Sequence, residues 1–170
     1  MTETKKIYVE KLTLNVGAGK DQRKLEKGME LIKYITGIDP VKTVTQKRIQ
    51  GWGLRPGLPV GTKLTLRGEQ ATTLLPRLLA AKDFIIPQKA FDDKGNMAFG
   101  IPEYIDIANI KYNPDLGVAG LEVAVTVARP GYRVKNRRMK SKIGKSHVIT
   151  KDEGMAFFRE QFNIKHGDEQ

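Results

Sequence analysis

Apolar positions recur at every second residue over 7–16, and that period predicts a first strand. Tyr8, Leu12, Leu14 and Val16 fall on one face; Lys11, Thr13 and Asn15 fall on the other. Gly17-Ala18-Gly19 interrupts the alternation, and the apolar spacing then changes to three or four. Leu25, Met29, Ile32 and Ile35 form the stripe of an amphipathic helix running to about Thr36, where Gly37 stops it and Asp39-Pro40 turns the chain. Residues 41–48 read as a second, mostly polar strand. Residues 60–67 read as a third, with Val60, Thr62, Leu64 and Leu66 on one side and Lys63, Thr65 and Arg67 on the other. Between them, residues 51–59 hold too many Gly and Pro for a regular element and read as a protruding loop.

A second helix is predicted at about 69–82, with Leu74, Leu75, Leu78 and Leu79 inward and Pro76 costing it a hydrogen bond. Residues 83–120 read as irregular, with turns at Asp93-Lys94-Gly95-Asn96 and Asn113-Pro114-Asp115 and short strands near 97–101 and 105–110. Residues 121–128 carry the clearest strand pattern in the chain. Thr150-Lys151-Asp152-Glu153 is a capping box that opens a last helix with Met155, Phe158 and Phe162 as its apolar side. This order predicts an α+β fold: a mostly antiparallel sheet with helices packed on one face, then a basic loop and a final helix. The length of 170 residues suggests a single domain over 1–170, with 51–59 protruding and 129–151 forming an arm.

Charge adds what the pattern does not contain. The formal net charge is +11, but it is local. Residues 40–68 and 129–151 hold 15 of the 30 Lys and Arg and none of the 19 Asp and Glu. Segregated basic surfaces call for a polyanion, and nucleic acid is the commonest. Cysteine is absent, which excludes disulfides and thiol-ligated zinc. No apolar run is long enough to cross a membrane, Met1 to Lys6 lack the apolar stretch of a signal peptide, and no basic amphipathic helix suits a membrane surface. The expectation is a soluble intracellular protein without a membrane partner.

Four constellations could carry chemistry. The polar side of the first three strands reads Lys11, Thr13, Asn15, Thr43, Thr45, Lys47, Lys63, Thr65 and Arg67, with Arg48 adjoining; the phase of the second strand follows by elimination from Val44. Hydroxyl, amide and cationic groups bond phosphate and ribose oxygens, whereas a merely solvated face usually mixes signs. The turn Asn15-Val16-Gly17-Ala18-Gly19-Lys20 could aim backbone N–H groups at one phosphate, or could simply allow a tight turn. It is neither a Walker A loop nor a dinucleotide fingerprint, since Gln22 stands where a third glycine would fall. The loop Trp52-Gly53-Leu54-Arg55-Pro56-Gly57 either stacks on a base or partner, or folds Trp52 back on the core. The segment 129–151, with Arg133, Lys135, Arg137, Arg138 and Lys140, is a binding arm or a solvated tail, and the helix that follows tethers it. Catalysis has little support. His147, His166, Ser141 and Ser146 all lie in basic or terminal stretches, and Asp92-Asp93 sit in a turn where Asp is expected. No cofactor or metal is expected.

Several blocks together resemble a known family. They are Asn15-Val16-Gly17-Ala18-Gly19, Ile35-Thr36-Gly37 with Pro40-Val41, residues 54–61 (Leu-Arg-Pro-Gly-Leu-Pro-Val-Gly), Leu64-Thr65-Leu66-Arg67-Gly68, residues 91–96 (Phe-Asp-Asp-Lys-Gly-Asn) and residues 129–134 (Arg-Pro-Gly-Tyr-Arg-Val). In this order they resemble the universal 5S rRNA-binding ribosomal protein family five of the large subunit, in its archaeal and eukaryotic form. The resemblance implies a structural, non-catalytic protein of the cytoplasmic large ribosomal subunit. It implies that Asn15, Gly17, Gly19, Thr43, Thr45, Lys47, Thr65 and Arg67 hold 5S rRNA, and that Trp52 to Pro59 reach peptidyl-site tRNA. It also implies 23S-type rRNA and neighbouring ribosomal proteins as partners. Trp52 replaces a smaller aromatic usual in the family, and Gly53 and Pro56 replace charged or polar residues. A nucleotide-dependent enzyme and a generic basic nucleic-acid-binding protein are the alternatives, distinguished by mononucleotide binding and by duplex DNA competition.

Overall fold

The computed structural model describes residues 3–165 and 167. His166, one of the two histidines weighed above, lies outside them. Five strands form one sheet: β1 (Tyr8–Gly17), β2 (Val41–Val44), β3 (Pro59–Leu66), β4 (Met97–Ile101) and β5 (Leu121–Ala128), in the order β2-β3-β1-β5-β4. Three helices accompany them: α1 (Gln22–Thr36), α2 (Glu69–Ala80) and α3 (Lys151–Phe162). The sheet is antiparallel and the fold is α+β. Residue numbers on β1 and β3 run in opposite senses: Val16 adjoins Gly61, and Glu10 pairs with Arg67.

The chain divides into two compact units. One comprises Thr13–Leu66 and Gly100–Val123; the other comprises Arg67–Phe99 with the segments up to Leu12 and from Ala124 onward. In the first, α1 begins at Asp21, whose carboxylate accepts from the N–H groups of Arg23 (3.0 Å) and Lys24 (3.4 Å). Gly37 ends it at φ 73°, donating its N–H to the Lys33 carbonyl. The buried stripe is Leu25, Gly28, Leu31, Ile32 and Ile35. Gly28 and Leu31 were not in the expected stripe, and Met29 is only half-buried. A Cβ at Gly28 would come 3.0 Å from Val16 Cγ1 and 3.2 Å from Thr62 Oγ1, so here the helix backbone itself packs against β1 and β3. Thr62 is fully buried and its hydroxyl has no partner.

In the second unit, α2 buries Ala71, Leu74, Leu75, Leu78 and Leu79. Pro76 sits inside the helix and cannot donate to the Thr72 carbonyl. The capping box of α3 is present: Thr150 Oγ1 accepts from Glu153 N (3.4 Å), and Glu153 Oε2 accepts from Thr150 N (3.0 Å). The helix buries Gly154, Phe157 and Phe158, a stripe rotated from the expected Met155, Phe158 and Phe162. Two contacts set that rotation. The Phe158 ring lies 5.3 Å from Phe157 and 5.9 Å from Phe91. A Cβ at Gly154 would fall 2.6 Å from the Gly95 carbonyl oxygen, so only glycine fits there.

Three further expectations change. Tyr8 is exposed and Val9 buried, while Leu12 and Leu14 are inward, so β1 shifts phase across Glu10–Lys11 as an inserted residue would make it. Strand β2 ends at Val44, with a register slip after Thr43, instead of running to 48. No strand forms over 105–110. Ile105 and Ile107 alternate as strand residues do, but a 3-10 turn at Tyr104–Asp106 and a left-handed Asn109 (φ 65°) coil the backbone. The buried Tyr104 hydroxyl fixes that coil by accepting from Asn113 N (2.9 Å) and donating to Asn113 O (3.3 Å).

Candidate nucleic-acid interface

The basic arm is built from its neck outward. Arg129 follows β5 and is only 5% exposed. Its Nη2 donates to Glu153 Oε1 at 2.8 Å and its Nη1 to the His147 carbonyl at 3.4 Å; its Nε is buried without a partner. The Tyr132 hydroxyl donates to the same carbonyl (3.2 Å) and accepts from Ile149 N (2.8 Å). His147 Nε2 lies 2.9 Å from the Pro130 carbonyl, which can only accept, so that nitrogen carries the proton. The two ends of the arm are thereby tied to each other and to the first turn of α3. The Glu153 carboxyl is held below the ordinary carboxylate range, first by the Thr150 N–H and next by Arg129.

Beyond the neck the side chains face water. Arg133, Lys135, Arg137, Arg138, Lys140, Lys142 and Lys145 are all exposed. Among the described residues none of these seven meets a carboxylate. Two are oriented: Lys135 Nζ sits 5.1 Å from the centre of the Tyr132 ring, and Arg137 Nε donates to the Met139 carbonyl at 2.9 Å. Met139 projects from the tip at 80% exposure. Arg129, counted in the basic run, belongs instead to the neck.

The sheet candidates differ. Lys63 and Thr65 are exposed on β3, where burial alternates as the sequence predicts. Thr43 lies opposite Gly61 and so shares their side, together with the exposed Val41. Lys11, Thr13 and Asn15 are half-buried. Arg67 Nη1 reaches Glu10 Oε1 at 3.5 Å, and Asn15 Nδ2 donates to Glu122 Oε2 at 2.9 Å. The nine polar positions contain no acid, but their neighbours supply two. Glu10 arrives through the phase shift of β1, and Glu122 through the pairing of β1 with β5. Neither is visible without the topology.

The glycine turn does not offer amides to a phosphate. Ala18 N and Gly19 N both donate to the Val60 carbonyl, at 2.9 and 3.0 Å. The first amides of α1 donate to Asp21. Gly19 needs its left-handed φ of 61°, whereas Gly17 has neither a positive φ nor any atom within 4 Å of where a Cβ would stand. Lys20 is exposed beside the turn, with its Cδ 3.8 Å from a Cβ placed on Gly53.

The loop 51–59 is the end of a hairpin longer than its strands. Thr45 N and Oγ1 both donate to the Leu58 carbonyl, Gly57 N donates to the Thr45 carbonyl, and Ile49 and Leu54 exchange two backbone hydrogen bonds of 3.1 and 3.0 Å. Lys47 and Arg48 lie on this extension and are exposed. A 3-10 turn at Gln50–Trp52 closes it, ended by Gly53 at φ 66°. Leu54 is buried at 8%, while Trp52 is 70% exposed and does not return to the core. Arg55, Pro56 and Gly57 are exposed.

No group of three or more His, Asp or Glu side chains placed to hold a metal occurs among the described residues. Asp92 instead closes its turn, Oδ1 accepting from Lys94 N (2.9 Å) and Asn96 N (2.7 Å). Fold and charge thus define a class: an α+β protein that presents an anchored cationic arm and an exposed aromatic hairpin tip. The family model for the C-terminus of ribosomal uL5 proteins matches residues 59–157. Along nearly the whole chain, the protein is 49% identical to the large ribosomal subunit protein uL5 of Nanoarchaeum equitans, covering 95% of this chain and 96% of that one. It is 39% identical to uL5 of Sulfolobus acidocaldarius (94% and 90% covered) and 36% identical to uL5 of Methanosphaera stadtmanae (96% and 98%). The chain belongs to the uL5 family.

Proposed function

We propose that this protein is a structural, non-enzymatic component of the cytoplasmic large ribosomal subunit that binds 5S rRNA, helps attach it to the large rRNA, and touches peptidyl-site tRNA through the hairpin tip. The observation that carries this reading is the arm: seven exposed cations without acidic partners among the described residues, projecting from a hydrogen-bonded neck. Cations in that state neutralise phosphates and release counterions, so binding falls steeply with salt. The neck reduces the ordering cost of binding, because Tyr132, His147 and Arg129 already hold the ends of the segment together. On the sheet, Thr43, Thr65 and Lys63 supply hydroxyl and cationic groups suited to ribose and phosphate. Asn15 still has its carbonyl oxygen as an acceptor. Trp52 presents an aromatic plane, which suits a base or sugar of a moving RNA. Ultraviolet crosslinking of the chain in cell extract, followed by sequencing of the attached RNA, tests the proposal. The expected products are 5S rRNA on the arm and sheet and tRNA on Trp52. Equal crosslinking to duplex DNA added as competitor would point to a generic basic nucleic-acid-binding protein instead.

A further inference from the structure

A cleft of about 410 Å³ lies between the start of α1 and the loop that leads into β5. Arg23, Lys24 and Lys27 line one wall, and Leu116 and Val118 line the other, with Gly17 between them. This size is at the low end of small-ligand pockets, about 300–1,000 Å³. Its charge is one-sided: three cations and no acid line it. Asp21 caps the same helix but is not in the lining, and its carboxylate is engaged by two amides. Lys27 is fixed in place, its Nζ donating to the Leu116 carbonyl at 3.3 Å; Arg23 and Lys24 are exposed and have no acidic partner among the described residues. The opposite wall is apolar, with Leu116 buried beneath and Val118 69% exposed at the mouth. Gly17 is the second observation. Neither its backbone angle nor its packing requires glycine, and it borders the cavity. A side chain there would occupy the free space without displacing a neighbour.

We propose that this cleft takes one nucleotide unit, its phosphate on Arg23 and Lys24 and its base or sugar against Leu116 and Val118. The site shares no residue with the arm and no cation with the polar side of the sheet, and it does not depend on the 5S rRNA reading. Its occupant has two sources with the same chemistry, a free nucleoside monophosphate or a nucleotide of RNA. Lys27 acts as a positioning residue, holding the 116–120 loop against the helix.

The test is amide chemical-shift titration of the full chain at constant ionic strength with uridine 5′-monophosphate, inorganic phosphate and uridine. The expected result is a saturable shift at Gly17, Val118 and Gly120 with the monophosphate, weaker binding of phosphate alone, and none of uridine. Gly17→Val and Arg23→Gln should each weaken the monophosphate at least tenfold while keeping the parent's thermal midpoint. A uridine hexamer that competes with the monophosphate would identify RNA as an accessible source; one that does not compete restricts the site to free nucleotides. Absence of a saturable shift, equal binding of uridine, or unchanged binding by both variants would overturn the proposal. Retention of 5S rRNA by the parent chain in the same buffer is read in parallel, so failure of the cleft and failure of the ribosomal reading are told apart.

Discussion

The arm and the polar side of the sheet carry the same kinds of side chain but differ in what surrounds them. On the sheet, Arg67 meets Glu10 and Asn15 meets Glu122, so part of the polar surface is answered by the protein itself. On the arm, the one acid within reach, Glu153, is bonded to Arg129 at the neck, and the seven cations beyond it have none among the described residues. A strand acquires cross-strand neighbours chosen by topology; a projecting loop has only its own sequence for company. The same count of cations therefore gives a weaker field on the sheet than on the arm. The arm should dominate affinity and its salt dependence, and the sheet should fix register.

The largest expected effect follows directly. Replacing Arg133, Lys135, Arg137 and Arg138 together by Gln should weaken 5S rRNA binding by about a hundredfold near 0.1 M salt, as loss of four phosphate contacts implies. A filter-binding assay measures this. These four side chains are exposed, so the thermal midpoint should not move.

The neck should matter for stability. Glu153→Gln leaves the Arg129 guanidinium, 5% exposed, without its counter-charge. The cost should be about 2 kcal/mol, moderated by the partial exposure of Glu153. Its pH dependence has a definite sign. A carboxyl held low in the folded state stabilises the fold above the unfolded-chain value, about 4.3, and loses that contribution as pH falls through the lower folded value. The parent's thermal midpoint should thus fall more between about pH 5 and pH 3 than that of Glu153→Gln. Equal falls would remove Glu153 from the account.

Much of this was legible from residue order. β3 and β5 could be read from alternation, because each has one face buried along its whole length. The capping box of α3 and the Asp92 turn could be read because their hydrogen bonds are local. What failed was non-local. Tyr8 and Val9 exchange roles because a phase shift at Glu10–Lys11 is invisible in a pattern of apolar residues. Gly28 has no side chain to contribute to a stripe, yet it marks where α1 packs on β1 and β3. Among the candidate residues, Arg129 counted as a binding charge until its partner 24 residues away was known. The glycine turn offered free amides until Val60 was found to accept from them. The exposure of Trp52 was equally undecided, since an aromatic between two glycines suits both a core and a tip.

Two smaller effects sharpen the contrast. Thr62→Val removes a buried hydroxyl without a partner and keeps its shape, so the chain should gain about 1 kcal/mol in a denaturant titration. Arg67→Gln removes a cation already answered by Glu10, and 5S rRNA affinity should fall less than about threefold. Arg137→Gln should cost more than Arg67→Gln in the same assay. A reversal of that order would mean that the sheet, not the arm, supplies the dominant field.

The salt dependence of 5S rRNA binding, compared between the parent and the chain with those four arm cations replaced, tests the central claim most directly. Between about 50 and 200 mM salt, seven phosphate contacts imply a logarithmic slope of about −5, and loss of four should bring it to about −2. An unchanged slope in the arm variant would contradict the account, because the charge that grips the RNA would then lie elsewhere on the molecule.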